Sequence, residues 1–466
     1  MKIPILNGIY TDSGPDMRVS YPVNMVPVVQ DSGASPGYLR PAHGIVSWTT
    51  GPGVDRGGIN WNGTCYRVMG TKLVSVSSVG VVTTLGDVGG SGQATFDYSF
   101  DRLAIVSSGA LYYWDGASLT QVTDVDLGTV IDAIWIDGYF MTTDGENLIV
   151  TELADPTQVS PSKYGSSEID PDEVKGLLKV RNEAYALNRY TIEVMTNIGG
   201  NFFPYERIEG AQIQKGVIGT HCACTFGDAI AFVGSGHNER AAIYLGSNSQ
   251  ALKISTQEID RLIGEYAEAD LATSVLEQRV DGGHNHLIFH LPDRAIVYDA
   301  IASQLLGEPV WFTLTSGIAG FSEYRAKNMV WCYDKWIVGD PTTTALGYLS
   351  DTVSTHFGAN TRWEFGTKIL YNEGRGAILH SLELIALTGR VALGIDPQIM
   401  TSYSLDGETW SQGKWIKCGK IGDRSKRLVW LQQGALRNYR MQRFSGDSQS
   451  HLSFMRLDAT IEPLEY

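Results

Sequence analysis

From about residue 52 to 360 the sequence repeats one plan, strand, tight turn, strand, at intervals of roughly 35–50 residues. "TCYRVMGTKLVSV" sets the pattern with an alternating strand, a Gly turn and a second strand. "FDRLAIVSSGALYYWDGASLTQVT" repeats it with Asp115-Gly116 at its second turn, and "VIDAIWIDGYFMTTDGENLIVTEL" with Asp137-Gly138 and Asp144-Gly145. The plan returns in "GLLKVRNEAYALNRYTIEVMT", "CTFGDAIAFVGSGHNERAAIYLGS", "HNHLIFHLPDRAIVYDA" and "MVWCYDKWIVGDPTTTALGYLS". Strands at this spacing, without helices between them, exclude a parallel α/β fold. Radially arranged four-stranded blades account best for a period near ~40 residues. The expectation is an all-β chain with a six- or seven-bladed β-propeller over residues 51–360, and 52 glycines suit that many turns.

One segment departs from the plan. "STQEIDRLIGEYAEADLATSVLEQ" reads as a short helical insertion at about 255–278. Ser255 and Glu258 have capping-box spacing, and Ile259, Leu262, Ile263 and Tyr266 share one helical face. After "FGANTRW" the chain changes character, and residues 361–466 read as a C-terminal antiparallel β-sandwich. Residues 1–50 form an extended N-terminal segment. Its "YPVNMVPV" is apolar yet too short to build its own core, so it is expected to close the propeller or dock a neighbour. Tyr21, Asn24, Tyr38 and Arg40 are the residues expected at a partner interface there.

The charge is unevenly spread. Net charge is −15, but residues 361–466 hold 14 Lys and Arg against 11 Asp and Glu, while residues 1–360 hold 22 against 40. A body carrying −18 is a poor nucleic-acid binder, since phosphate affinity comes mostly from Lys and Arg. The C-terminal part instead gathers Arg424, Lys426, Arg427, Arg437, Arg440 and Arg443, a cluster that could meet a phosphate backbone or an acidic protein partner. The start, "MKIPILNGIYTDSGP", lacks the apolar core of a signal peptide, and no window reaches a membrane span, so cytoplasmic synthesis without membrane insertion is expected. Five scattered cysteines, Cys65, Cys222, Cys224, Cys332 and Cys418, fit free thiols in a reducing compartment.

Candidate chemistry is sparse. His284, His286 and His290 have like parity on a strand, but 284 and 290 would stand about 20 Å apart, at ~3.3 Å per residue. Only His284 and His286 could share a metal, with further ligands needed from elsewhere. "HCAC", His221 to Cys224, has no second ligand pair at zinc-site spacing. "SYSLDGETWSQGKW" nearly spells the Asp-box of sialidases through Ser404, Asp406, Thr409 and Trp410. Asp406 and Gly407 are adjacent, however, which is the signal of a type I′ hairpin turn. No nucleophile elbow, P-loop or His-Glu-x-x-His helix is present in the sequence. No catalytic residue, metal or cofactor is assigned, and the expected role is not enzymatic.

Several segments together resemble the tail accessory factors, or packaged-DNA stabilisation proteins, of short-tailed bacteriophages. They are, in order, "YPVNMVPV", "SPGYLRPAHGI", "CYRVMGTKL", "KGVIGTHCACTFGDAIAFVGSG", "QEIDRLIGEYAEADLATSVLEQ", "NHLIFHLPDRAIVYDA" and "SYSLDGETW" through "RLVWLQQGALRNYRMQRF". The resemblance implies a homo-oligomeric ring of six copies in the virion tail, attached below the portal and its adaptor protein. Such a ring extends the DNA channel, helps retain the genome without binding DNA specifically, and docks a tail needle and fibres or tailspikes. The rival readings are a carbohydrate-active tail propeller, sialidase-like or depolymerase, and a non-catalytic sugar-binding module. Either would need aromatic platforms or Asp-boxes repeated from blade to blade.

Overall fold

Seven four-stranded antiparallel sheets make up most of the chain. They belong to a computed structural model that describes residues 2–6, 8–11, 18–30, 35–247, 249–372 and 375–464. Six blades run consecutively over residues 55–87, 95–121, 132–166, 174–207, 223–253 and 275–314. The seventh takes three strands from residues 327–350 and its fourth, Gly44–Thr50, from near the N-terminus. Pairing of Gly44–Thr50 with Ala345–Ser350 therefore closes the circle non-covalently. First strands of successive blades lie side by side, and the first strand of blade 7 returns against that of blade 1.

The apolar runs explain why the blades stack. Leu103–Ser107 and Tyr139–Thr143, second strands of blades 2 and 3, are buried along their whole length because a neighbouring blade covers each face. Seven apolar clusters fill the seven gaps, with Ile134, Met141 and Val150 of blade 3, for example, meeting Leu177, Ala186 and Met195 of blade 4. Turn chemistry is equally direct at Asp137-Gly138. Both residues have positive φ, 49° and 91°, as a type I′ hairpin requires.

The helical insertion is shorter than its composition suggests. Helix α1 spans Gln257–Ile263 and α2 spans Glu268–Ala272, after which Val275–Asp281 is the first strand of blade 6. The expected capping box does not form. Thr256 occupies the N-cap, and the Ser255 hydroxyl instead bonds the Asp260 carboxylate at 2.5 Å. A third helix, α3 (Ala300–Leu306), lies between the third and fourth strands of blade 6, outside the expected insertion. Asp299 caps it, accepting the Ile301 and Ala302 amides, and Gly307 ends it at φ 71°.

A two-sheet sandwich follows the propeller, and the N-terminal strands are part of it. One sheet orders Leu428–Leu436, Ala377–Ala386, Phe454–Pro463, Gly37–Pro41 and Met25–Val29, with Lys2–Ile3 also on Phe454–Pro463. The other contains Arg362–Gly366, Tyr439–Asp447, Gln398–Ser404 and Lys414–Lys417. Between them Trp363, Phe365, Phe444 and Phe454 stack with ring centroids 5.0–5.7 Å apart. Ile3, Met25 and Leu39 enter the same core, so the sandwich is not built from residues 361–466 alone.

Candidate functional site

The N-terminal segment holds propeller and sandwich together. Val23 bridges Thr313 of blade 6 on one side and Glu364 of the sandwich on the other. Asn24, at φ 51°, fixes the same seam with its side chain. Its amide donates to the Thr315 and Arg362 carbonyls at 2.9 and 2.7 Å and accepts the Thr315 N–H at 3.0 Å. Tyr21 is half-buried, with its hydroxyl 2.6 Å from Thr256 Oγ1 at the start of α1. Tyr38 and Arg40 are half-buried on Gly37–Pro41. Thus Asn24, expected at a partner interface, is instead buried and engaged within its own chain.

Replacement of Asn24 by Gly is expected to cost about 2 kcal/mol, because Gly keeps the positive φ but leaves buried backbone groups unpaired. Asn24→Ala should cost more, by about 1 kcal/mol of left-handed backbone strain. Denaturant midpoints of the two variants check both numbers.

The basic cluster separates into different environments. Arg424, Lys426 and Arg427 are exposed on the connection into Leu428–Leu436, and Arg437 is exposed at the following hairpin. Arg427 pairs with both Glu383 oxygens at 2.7 Å. Arg440 is fully buried, donating to the Gln433 carbonyl at 2.6 Å and the Gln442 amide oxygen at 2.9 Å, with Tyr403 beneath it. Burial pulls its guanidinium down to about 10. Arg443 is half-buried over Trp410. Strand parity alone would not reveal that Arg440 is enclosed by neutral acceptors.

His284, His286 and His290 all face inward on the second strand of blade 6. His284 Nδ1 lies 2.5 Å from Asp299 Oδ2, the His284 and His286 rings stack at 5.1 Å, and His286 Nε2 is 3.4 Å from the same oxygen. His290 stands apart, 3.1 Å from Glu277. The His284, His286 and Asp299 ligand atoms fall within 4.8 Å of one another, a spacing a metal could draw together. Arg279 argues against one. It sits 3.0 Å from His286 Nδ1, and because a guanidinium only donates, Nδ1 is the acceptor and Nε2 holds the ring proton. A cation at Nε2 would displace that proton beside a fixed positive charge. The other Asp299 oxygen is already committed to capping α3. The cluster therefore joins strand to helix through Asp299, with burial and Arg279 keeping the His286 ring uncharged.

The turn at Asp406-Gly407 differs from the expected type I′ hairpin. Only Gly407 has positive φ, and the connection runs wide from Ser404 to Lys414. The Asp406 carboxylate accepts the Glu408 and Thr409 amides at 2.9 and 2.8 Å, while the Ser404 hydroxyl accepts the Gly407 N–H at 2.7 Å. These side-chain acceptors replace the tight turn's own backbone bond. The loop belongs to the sandwich, outside the propeller. All five cysteines are free thiols, and burial pushes Cys222 up to about 12 and Cys65 to about 11, far from reactive thiolates.

Among the described residues no helix is long and apolar enough to cross a membrane. Residues 1–354 match the family model for the bacteriophage P22 Gp10 β-propeller, and residues 362–462 match that for the P22 Gp10 β-sandwich. The tail hub protein gp10 of Salmonella phage P22 is 28% identical over 458 residues, covering 94% of each chain. Among solved structures, the Neurospora crassa Pan2 WD40 domain aligns with a TM-score of 0.42 at 10% identity, covering 65% of this chain and 95% of its own. The N-terminal domain of Nup159 aligns with a TM-score of 0.42 at 7% identity, covering 71% and 99%.

Proposed function

This chain belongs to the bacteriophage P22 Gp10 family, and from that premise we propose that it forms a structural ring of the phage tail. The ring would hold six copies below the portal and its adaptor. It would extend the DNA channel, retain packaged DNA, and dock a tail needle and fibres or tailspikes. The observation that carries this reading is the match to a tail hub relative over 94% of each chain, with the propeller and sandwich models matched in order. The −18 charge of residues 1–360 supports a surface that DNA passes without adhering.

The test is the mass of the purified protein by native mass spectrometry, alone and then with a portal–adaptor assembly. The expected outcome is a defined multimer of six copies on that assembly. A protein that ignores the portal, or one that releases reducing sugar from host polysaccharide, would overturn the reading.

A further inference from the structure

We propose that the loops of blades 2 and 3 on one propeller face receive the basic patch of a neighbouring copy's sandwich, head to tail. This rests on the ring reading above and names the surfaces that would build it. Strands alternate in direction, so the first-to-second and third-to-fourth turns of every blade emerge on the same face. On that face Phe100 is 91% exposed and Leu153 is 57% exposed, with the Phe100 ring edge-on to Trp135 at 5.6 Å. Large apolar side chains this exposed mark an interaction surface when they sit together. Around them stand Asp115, Asp137 and Asp155, all exposed and without an ion pair among the described residues.

The sandwich offers the complement. Residues 414–427, "KWIKCGKIGDRSKR", carry six Lys and Arg against one Asp. Lys417 and Arg427 are paired with Asp396 and Glu383, whereas Lys420, Arg424 and Lys426 are exposed with no ion pair among the described residues. Trp415 and Ile421 are exposed within the same stretch, at 58% and 53%. Three cations outside any ion pair, beside apolar groups, thus match three acids outside any ion pair, beside apolar groups.

The two surfaces cannot meet within one molecule. The sandwich is tied to blades 6 and 7 through Val23, Asn24 and the bond from the Gly44 amide to the Val353 carbonyl. Blades 2 and 3 stand across the ring from that attachment. Unlike faces on opposite sides of a protomer give a heterologous contact, which closes into a ring when the rotation permits.

The test uses full-length protein with the portal–adaptor assembly and reads the multimer by native mass spectrometry. K420E/R424E/K426E and, separately, Phe100→Glu are expected to lower multimer yield about tenfold or more with unchanged thermal midpoints. Adding Asp137→Lys and Asp155→Lys to the sandwich triple variant should restore part of the yield. Wild-type assembly by both variants would place the contact elsewhere and leave the ring reading standing. A wild-type protein that stays monomeric beside the portal would instead defeat the ring reading itself. If the triple variant assembles normally but loses affinity for a DNA duplex, the patch reads phosphate and the proposal is overturned.

Discussion

Arg67→Met is expected to destabilise the fold by about 3–5 kcal/mol, the cost of stranding a buried carboxylate. Arg67 is 0% exposed and grips both Asp55 oxygens, Nε to Oδ1 at 2.6 Å and a terminal nitrogen to Oδ2 at 2.7 Å. The same nitrogen reaches the Asn328 carbonyl at 2.9 Å, and the Asn328 amide returns to Asp55 Oδ2 at 2.7 Å. Asp55 and Arg67 lie on the first two strands of blade 1, and Asn328 on the first strand of blade 7. The network therefore spans the seam between first and last blade.

Denaturant unfolding is the measurement, with the midpoint expected to fall at constant slope. The double variant Asp55→Leu/Arg67→Met separates a buried pair's net worth from the cost of breaking it. It should recover most of the loss, with a coupling energy of about 2 kcal/mol or more. If Arg67→Met alone costs under about 1 kcal/mol, the network does not hold the seam and the apolar cluster of Val74, Ile337 and Leu346 beside it does.

The blades were legible in the sequence because each strand is covered on both faces, which forces apolar runs such as Leu103–Ser107 between turn residues. The partnership of Gly44–Thr50 with Ala345–Ser350 was not. Pairing register between strands some 300 residues apart leaves no local mark, so the segment could be expected only to close the propeller or dock a neighbour. Helix α3 did carry its signals, Asp299 before it and Gly307 after it, but the β-rich "RAIVYDA" ahead of it masked them. Asn24 and Arg440 show the same limit for the interface residues. A polar side chain near an apolar strand can face a partner or cap buried carbonyls of its own chain. Only the tertiary contacts to Thr315, Arg362 and Gln433 decide.

Acidification from pH 6.5 to 5 is expected to remove about 6 kcal/mol of stability through histidines that are buried uncharged. Burial holds His286 down at about 4, with Arg279 beside it adding to the effect. Burial likewise holds His356 at about 3, with Arg325 nearby, and His43 at about 3, with Arg279 and Arg40 nearby. Below pH ~6.5 the unfolded chain takes up a proton at each imidazole that the folded chain refuses. Stability therefore falls as pH falls, by about 1.4 kcal/mol per pH unit per residue, until the folded pKa is reached. Asp132 acts in the opposite sense. Burial raises its carboxyl to about 7, so the folded chain keeps a proton that the unfolded chain releases above ~3.8, and stability from this group is lost as pH rises. His221, which burial also holds at about 4, adds a fourth imidazole of the same sense, and one raised carboxyl offsets about one of the four. Chemical denaturation at pH 7, 6 and 5 measures the slope. His286→Asn, which keeps an acceptor for Arg279, and His356→Gln should each flatten it by about 1.4 kcal/mol per unit, whereas Asp132→Asn should steepen it. A wild-type profile flat between pH 6.5 and 5, or one that both histidine variants leave unchanged, would show that these rings already take up protons in the folded chain.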